Sequence, residues 1–263
     1  MKEPGRTWTL LAVGLMAACG GDSVGPEGDP PVLPDAESMV FDIETFPTGT
    51  PAAVAGPART SHNTHHAVAA VTVGITNLVV AAHLIVPVAT WRAARRQIPT
   101  LEEGRWHWRF EANALAATYS GDLAGFVEDG DAVFEMRISS SVGGLNNFLW
   151  YTGRAPIGGT TGEWLFYDPQ DPPTAVGRVD WSHPGTAVWT LTFTALTGPN
   201  AGDTLTYDVD GTSRTMTYFD ASASVTSEIQ WDAIARDGYI EAPNYNGGAR
   251  ACWDGTLTNI ACP

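Results

Sequence analysis

The chain has 263 residues, of which 14 are Lys or Arg and 29 are Asp or Glu, so its formal net charge is −15 at neutral pH. This balance excludes nucleic acid and anionic membrane surfaces as electrostatic partners, because both are bound through patches of basic side chains. Lys2 is the last lysine in the sequence, and every later basic residue is arginine.

The N-terminus has the pattern of an export signal. Lys2 and Arg6 precede an apolar stretch from Trp8 to Ala18, which has signal-peptide length and is too short to span a bilayer. The stretch ends with the small residues Ala17 and Ala18 directly before Cys19. This arrangement resembles the lipobox-type signal peptide of bacterial lipoproteins. An ordinary secretory signal followed by an unrelated cysteine is the alternative.

The resemblance to lipoproteins has consequences for processing and location. It implies that residues 1–18 are removed and that Cys19 carries acyl chains such as palmitate, through which the protein binds a membrane. Gly20 follows Cys19 where an inner-membrane lipoprotein would carry aspartate, so we expect an outer-membrane protein facing the periplasm or the cell surface.

Behind Cys19, the composition predicts a tether and then one domain. Residues 20–58 are rich in Pro and Gly and have little apolar area to bury, so we expect residues 19–58 to form a solvated tether. Within it, only Met39–Ile43 alternates well enough to dock as a strand. Residues 59–263 are long enough for one core, and we expect a single domain there.

An unusually apolar helix is predicted over residues 61–96. Residues 67–91 contain no Asp, Glu, Lys or Arg, which suits either a transmembrane helix or a helix buried against a sheet. Asn77 and His83 are costly in lipid unless paired. The arginines that follow Trp91 would also place the remainder of the chain in the cytoplasm, away from an oxidising compartment. The pattern therefore favours the buried helix.

The remainder of the chain alternates between apolar and polar residues, which is typical of strands with one buried face. Turn sequences such as Asp129-Gly130, His183-Pro184-Gly185 and Asp210-Gly211 separate the candidate strands. We predict a mainly β fold: an antiparallel meander of about nine or ten strands, curved into a half-barrel or barrel around the long N-terminal helix. The candidate strands are 106–111, 115–121, 134–139, 147–153, 163–168, 176–182, 189–194, 205–209, 214–219 and 225–235.

This layout resembles, in architecture only, the half-barrel carriers of the bacterial lipoprotein-localisation system. In that family a sheet and helices enclose a cavity for acyl chains, and the resemblance implies a similar cavity here. A lipocalin-like barrel with the helix outside, and an outer-membrane barrel, are alternatives. The strands are short for a membrane barrel.

Two further cysteines, Cys252 and Cys262, remain in the exported chain. An even pair in an oxidising compartment predicts a disulfide that closes a short C-terminal loop.

Several groups of side chains are candidates for chemistry. His62, His65 and His66 share a helical face but lack a nearby carboxylate or thiolate, so we expect no metal site there. Asp208–Ser213 superficially suggests a calcium loop, but a hairpin explains it more simply. Asp168, Asp171 and Glu163 are candidates for a glycosidase carboxylate pair, although turns and strand ends account for them better.

The sequence contains no nucleophile elbow, phosphate-binding loop or zinc-protease motif, so we expect a protein that is not an enzyme and has no cofactor. His83, Trp150 and Trp164 are the candidate ligand-facing residues, because aromatic faces bind apolar groups and sugars.

These features are consistent with three functions. The first is an envelope lipoprotein that serves as a binding or scaffold module for a lipid, another hydrophobic ligand or an envelope protein. The second is an accessory subunit of a membrane complex, in which residues 67–91 span the membrane or pack against a partner. The third is a surface carbohydrate-binding or hydrolytic domain.

Overall fold

A computed structural model describes residues 28–47, 64–114, 117–168 and 174–263. It contains one long helix, α1 (Thr64–Ala94), followed by fourteen strands. Short 3-10 turns lie at Ala36–Met39, Ile43–Thr45 and Asn246–Gly248. The strands are β1 (Thr100–Glu102), β2 (Arg105–Ala114), β3 (Ala117–Glu128), β4 (Asp131–Ser140), β5 (Phe148–Pro156), β6 (Thr161–Tyr167), β7 (Ala175–Gly185), β8 (Val188–Ala195), β9 (Thr204–Asp210), β10 (Ser213–Asp220), β11 (Val225–Asp232), β12 (Gly238–Glu241), β13 (Ala251–Trp253) and β14 (Asn259–Ile260).

The strands form a single antiparallel sheet in which each strand pairs with its neighbours in sequence. The predicted mainly β meander is therefore confirmed. The closed barrel is wrong, because the order runs from β1 to β14 and ends there. The structure also has more strands than predicted, since the edge strands β1, β12, β13 and β14 contain two to four residues each. Strands this short contain too few residues to show a period of two.

One face of the sheet is apolar and buried. In β4, Phe134, Met136 and Ile138 are at most 1% exposed, whereas the residues between them are partly exposed. The predicted alternation is thus present, and it requires a cover over the apolar face. Two segments provide that cover.

Helix α1 is the first cover, and it runs across the strands. Its Trp91 packs edge-to-face on Trp164 of β6 and Phe134 of β4, at centroid distances of 4.7 and 5.7 Å. Its His83 lies 5.9 Å from Phe193 of β8. The three strand residues lie on one line of cross-strand partners, which joins Phe134, Gly153, Trp164, Val179 and Phe193.

The spacing of these contacts fixes the direction of the helix. His66 of α1 contacts Trp253 of β13, with ring centroids 5.6 Å apart, and His83 of α1 contacts Phe193 of β8. Between these two residues the helix advances about 26 Å, at about 1.5 Å per residue. Five strand spacings of about 4.8 Å amount to about 24 Å. A helix parallel to the strands would not pass successive strands at this rate, so α1 crosses them steeply.

Residues 28–47, here called the N-terminal strap, are the second cover. Pro31 lies against Gly125 of β3, and the indole N–H of Trp164 in β6 donates to Ser38. Phe41 then contacts Tyr207 of β9, and Phe46 contacts Trp231 of β11. The strap therefore crosses the sheet beside α1 in the opposite direction.

Packing of the strap corrects the expected tether over these residues. Met39 is fully buried and Phe41 and Ile43 are nearly so, in agreement with the docking predicted from their alternation. They do not form a strand, because Met39 ends one 3-10 turn and Ile43 begins the next. The indole N–H of Trp91 donates to the Pro34 carbonyl at 3.2 Å, which ties the strap to α1. The strap is therefore part of the folded unit, and the other domain bounds remain predictions.

None of the helices in the described ranges combines the length and the hydropathy that a membrane crossing requires. The contacts of α1 with the sheet favour its interpretation as a packed helix.

The C-terminal hairpin holds the start of α1. Cys252 and Cys262 form a disulfide, as expected. Within the loop that it closes, Asn259 accepts a hydrogen bond from the backbone N–H of His65 at 3.1 Å. This bond satisfies one of the unpaired donors at a helix N-terminus. Residues 194 positions apart are thereby joined.

Aromatic rings lie flat over glycines of the adjacent strand. A Cβ at Gly153 would lie 2.1 Å from the indole of Trp164, and one at Gly238 would lie 2.5 Å from that of Trp253. Both pairs are cross-strand partners. A glycine in a strand often marks such a close approach, and here it lets large rings lie against the sheet.

We expect Gly153→Ala to lower the free energy of unfolding by about 1–3 kcal/mol, because the new methyl displaces the buried Trp164 ring. Gly185→Ala is the matched control, since a Cβ there meets nothing within 4 Å. Urea unfolding followed by circular dichroism measures both. Equal stability of the two variants would contradict the close packing of Trp164 on Gly153.

Tyr207 predicts an alkaline loss of stability. Its hydroxyl donates to the Asp42 carbonyl of the strap at 2.5 Å, and burial raises the pKa of Tyr207 to about 12. The ordinary value is about 10, so the neutral phenol stabilises the fold fully below pH 10, and this contribution is lost as the pH rises through 12. The gap in unfolding free energy between wild type and Tyr207→Phe should therefore be smaller at pH 11 than at pH 8. A gap that widens with pH would contradict the burial of this hydroxyl.

Candidate functional site

A cleft of about 440 Å³ lies between α1 and the middle of the sheet. Strands β5 to β8 provide its walls, α1 provides one side, and the turn between β8 and β9 forms its rim. The residues that line it are His83, Trp150, Phe166, Tyr167, Asp168, Val176, Gly177, Phe193, Ala195, Thr197, Pro199 and Asn200.

A β-bulge places Trp150 in the cleft. Met136 of β4 pairs with Tyr151 and the next residue, Arg137, pairs with Leu149, so Trp150 has no partner on β4. A bulge of this kind re-aims a side chain that strict alternation would direct to the other face. The Trp150 ring accordingly contacts Tyr119, which is buried on the apolar face, at a centroid distance of 6.0 Å.

A second bulge supplies Val176. Phe166 of β6 pairs with Gly177 and Tyr167 pairs with Ala175, which leaves Val176 as the extra residue of β7. Gly177 leaves space beside the cleft for the Phe193 ring, which would lie 2.9 Å from a Cβ at that position. The sheet has a third register shift, between Ser182 and Gly185, but the bulges at Trp150 and Val176 are the ones that line the cleft.

Helix α1 contributes His83, an exposed residue on the helix that lies beside Phe193. Asp168, directly after β6, also lines the cleft, and its backbone N–H donates to the Thr174 carbonyl at 3.1 Å. The cleft therefore combines apolar walls with an imidazole and a carboxylate.

The rim of the cleft is held by a buried carboxylate that no sequence pattern indicated. Asp203, which is 8% exposed, accepts hydrogen bonds from the Tyr218 hydroxyl at 2.5 Å and the Ala221 backbone N–H at 2.9 Å. Burial and the bond to Asp203 raise the pKa of Tyr218 to about 12. These bonds fix the turn that carries Thr197, Pro199 and Asn200. In sequence, Gly202-Asp203 resembles any other turn, so no signal distinguished it.

The charge around the cleft is negative. Asp168 is the charged residue of the described lining, and none of those lining residues is Arg or Lys. Between Arg154 and Arg214 the sequence has one basic residue, Arg178. Arg178 pairs with Asp180 at 2.8 Å, and both alternate with residues buried on the apolar face, so this pair lies on the other face of the sheet.

Of the three ligand-facing residues expected from the sequence, the structure brings two together and excludes the third. His83 and Trp150 line the same cleft. Trp164 is 1% exposed and packs against Trp91 and Phe134, with its N–H bonded to Ser38. Trp164 is therefore a core residue, because the strap covers the face on which it lies.

The candidate histidines His65 and His66 bond different partners and do not converge on one site. His65 bonds the Tyr245 hydroxyl, whereas His66 bonds the Pro47 carbonyl at 2.6 Å and stacks on Phe46. Burial lowers the pKa of His66 below its usual value of 6.5. His62 lies outside the described residues, as does Cys19. No cluster of three or more His, Cys, Asp or Glu side chains suited to a metal occurs in the described part of the chain.

Other carboxylate candidates have structural roles in the sheet. Asp208 accepts a hydrogen bond from Thr190 on the adjacent strand at 2.6 Å, and Asp210 and Ser213 pair across the hairpin that was expected there. Glu163 and Asp168 lie at opposite ends of β6, about 16 Å apart at 3.3 Å per residue, which is too far for a glycosidase pair. Asp171 lies outside the described residues.

A second cleft of about 400 Å³ lies beside the disulfide. Its polar side chains bond one another: the Arg250 guanidinium lies 3.8 Å from the Tyr239 ring centroid, and the Tyr239 hydroxyl donates to Glu228 at 2.5 Å. Because these groups satisfy one another, the cleft beside α1 is the stronger candidate for ligand binding.

We compared the chain with models of protein families, with curated protein sequences and with solved structures, and it matches none of them.

Proposed function

We propose that this protein is a non-enzymatic lipoprotein of the cell envelope that binds a hydrophobic ligand in the cleft between α1 and strands β5 to β8. The observation that carries the proposal is the pair of bulges that places Trp150 and Val176 in this cleft. Bulges interrupt the pairing of a sheet and occur preferentially next to functional sites.

The size and lining of the cleft suit a small ligand. A volume of about 440 Å³ falls within the range of about 300–1,000 Å³ in which ligand pockets usually lie. Apolar walls with a few polar groups at the edge are also typical of such pockets, because burial supplies affinity and the polar groups orient the ligand.

Curvature of the sheet would create this space. The backbone of α1 comes closest to β2 and β3 and to β12, β13 and β14, which lie near the two edges of the sheet. A sheet that bows away from the helix between these edges is a half-barrel, with the cleft in its deepest part. We propose this shape as the second element of the resemblance to the half-barrel carriers.

The envelope location rests on the N-terminal sequence. We propose that Cys19 is acylated and that the protein faces the periplasm or the cell surface from the outer membrane. The disulfide between Cys252 and Cys262 supports an oxidising compartment.

A second candidate function has an observation of its own. The solvent side of α1 carries Val71, 63% exposed, and Ile85, 43% exposed, which lie fourteen residues and nearly four turns apart. Exposed apolar side chains on one side of a helix can form part of a protein interface. In this alternative α1 packs against another envelope protein, and a photo-crosslinker at Val71 in intact cells should give one heavier species, whereas one at exposed Val127 should not.

A carbohydrate-binding surface receives less support. Trp164, Trp181 and Trp253 are each no more than 4% exposed, so their rings are not accessible to a sugar, whereas Trp150 is partly exposed.

We predict that the mature chain, from residue 19 with Cys19→Ser to avoid acylation, binds the neutral apolar dye Nile red at one site. Val176→Asp should weaken this binding at least tenfold, because a carboxylate in the apolar wall must be desolvated when the dye enters. Fluorescence titration measures the affinity. Val188→Asp is the matched control, since Val188 is exposed at a hairpin away from the cleft. An unchanged affinity in Val176→Asp would overturn the assignment of the cleft.

A further inference from the structure

We propose that the cleft selects amphiphiles whose head group is an organic cation, such as an alkylammonium, and discriminates against fatty acids and other anions. This inference rests on the proposed function, because it assumes that the cleft binds a hydrophobic ligand. It goes further by assigning the charge of the ligand.

The aromatic walls of the cleft favour a cation. Trp150, Phe166 and Phe193 line the cleft, and the partly exposed Trp150 is the most accessible of the three, since Phe166 and Phe193 are 4% and 8% exposed. The face of an aromatic ring carries partial negative charge and attracts a cation within about 6 Å of its centroid. The desolvation of an alkylammonium head group in such a site costs little free energy, because its methyl or methylene groups are themselves apolar.

The rim of the cleft favours the same charge. Asp168 is the charged residue of the described lining and stands at the end of β6, beside Tyr167. A carboxylate at the edge of an apolar cleft attracts a cationic head group and repels an anionic one. The ring faces and the carboxylate therefore act together on a bound head group.

The distribution of basic residues disfavours an anion. An anionic head group is normally bound by Arg or Lys, and the sequence from 155 to 213 contains only Arg178. Arg178 is paired with Asp180 on the opposite face of the sheet. At the C-terminal end of α1, Arg95 is paired with Asp35 of the strap. Apart from the imidazole of His83, no side chain of the described lining could neutralise a carboxylate or a sulfate.

The test compares three probes that share a twelve-carbon chain: dodecyltrimethylammonium, dodecyl maltoside and dodecanoate. Each displaces Nile red from the mature Cys19→Ser chain at pH 8, below the concentration at which the probe forms micelles. We expect dodecyltrimethylammonium to bind at least tenfold more tightly than dodecanoate, with the neutral probe between them.

The control for net charge is essential, because the strongly acidic mature chain attracts any cation. Asp168→Asn and Glu111→Gln each remove one negative charge, but Glu111 is an exposed residue of β2 and does not line the cleft. We expect the preference for the cation to fall at least threefold in Asp168→Asn and to stay unchanged in Glu111→Gln.

The possible outcomes separate this inference from the proposed function. Equal affinity for the three probes, or tighter binding of dodecanoate, would overturn the charge preference and leave the hydrophobic cleft standing. An equal loss in both variants would assign the preference to net charge and overturn the role of Asp168. If neither Nile red nor any probe binds, the proposed function fails and this inference fails with it.

Discussion

The whole structure depends on covering one apolar face of an open fourteen-stranded sheet. Each hairpin forms from neighbouring residues, but no hairpin can bury its own apolar side chains. The strap and α1 provide that burial by crossing most of the strands, and aromatic residues of the face such as Phe134, Tyr207 and Trp231 contact one of them. Trp164 illustrates this, since it contacts Trp91 of the helix and Ser38 of the strap while its ring lies over Gly153. The cover and the sheet therefore depend on each other for stability.

The candidate site arises where this cover is incomplete. Near β5 to β8, α1 leaves a cleft that it borders through His83, and residues of the strands and their turns line the remainder of that space. At that place the sheet itself is irregular, because the bulges at Trp150 and Val176 add one residue to each of two strands. The buried Asp203 then holds the adjoining turn in position. An open, apolar cleft with a rigid rim is the result.

Local patterns predicted the local structure well. Alternation located most of the strands, the cysteine count located the disulfide, and the spacing of Met39, Phe41 and Ile43 located the docking part of the strap. Patterns of this kind describe which side of an element is apolar, but they do not say what covers it. The solvated tether over residues 28–47, the ligand-facing Trp164 and the closed barrel were wrong for this reason. His83 and Trp150 were predicted as ligand-facing residues from the sequence. The bulge that places Trp150 in the same cleft as His83 depends on pairing between strands and has no signature in the sequence.

The crossing of helix and strands also sets how this architecture could change in size. One added hairpin widens the sheet by two strands, or about 9.6 Å, and α1 would need about six or seven more residues to reach across it. Seven residues are also close to two full helical turns, so the same side chains would again point at the sheet. The fold can thus grow or shrink in units of one hairpin and two helical turns without losing the match between its layers. An insertion in only one of the two layers, without a matching change in the other, would leave the helix and the sheet out of register.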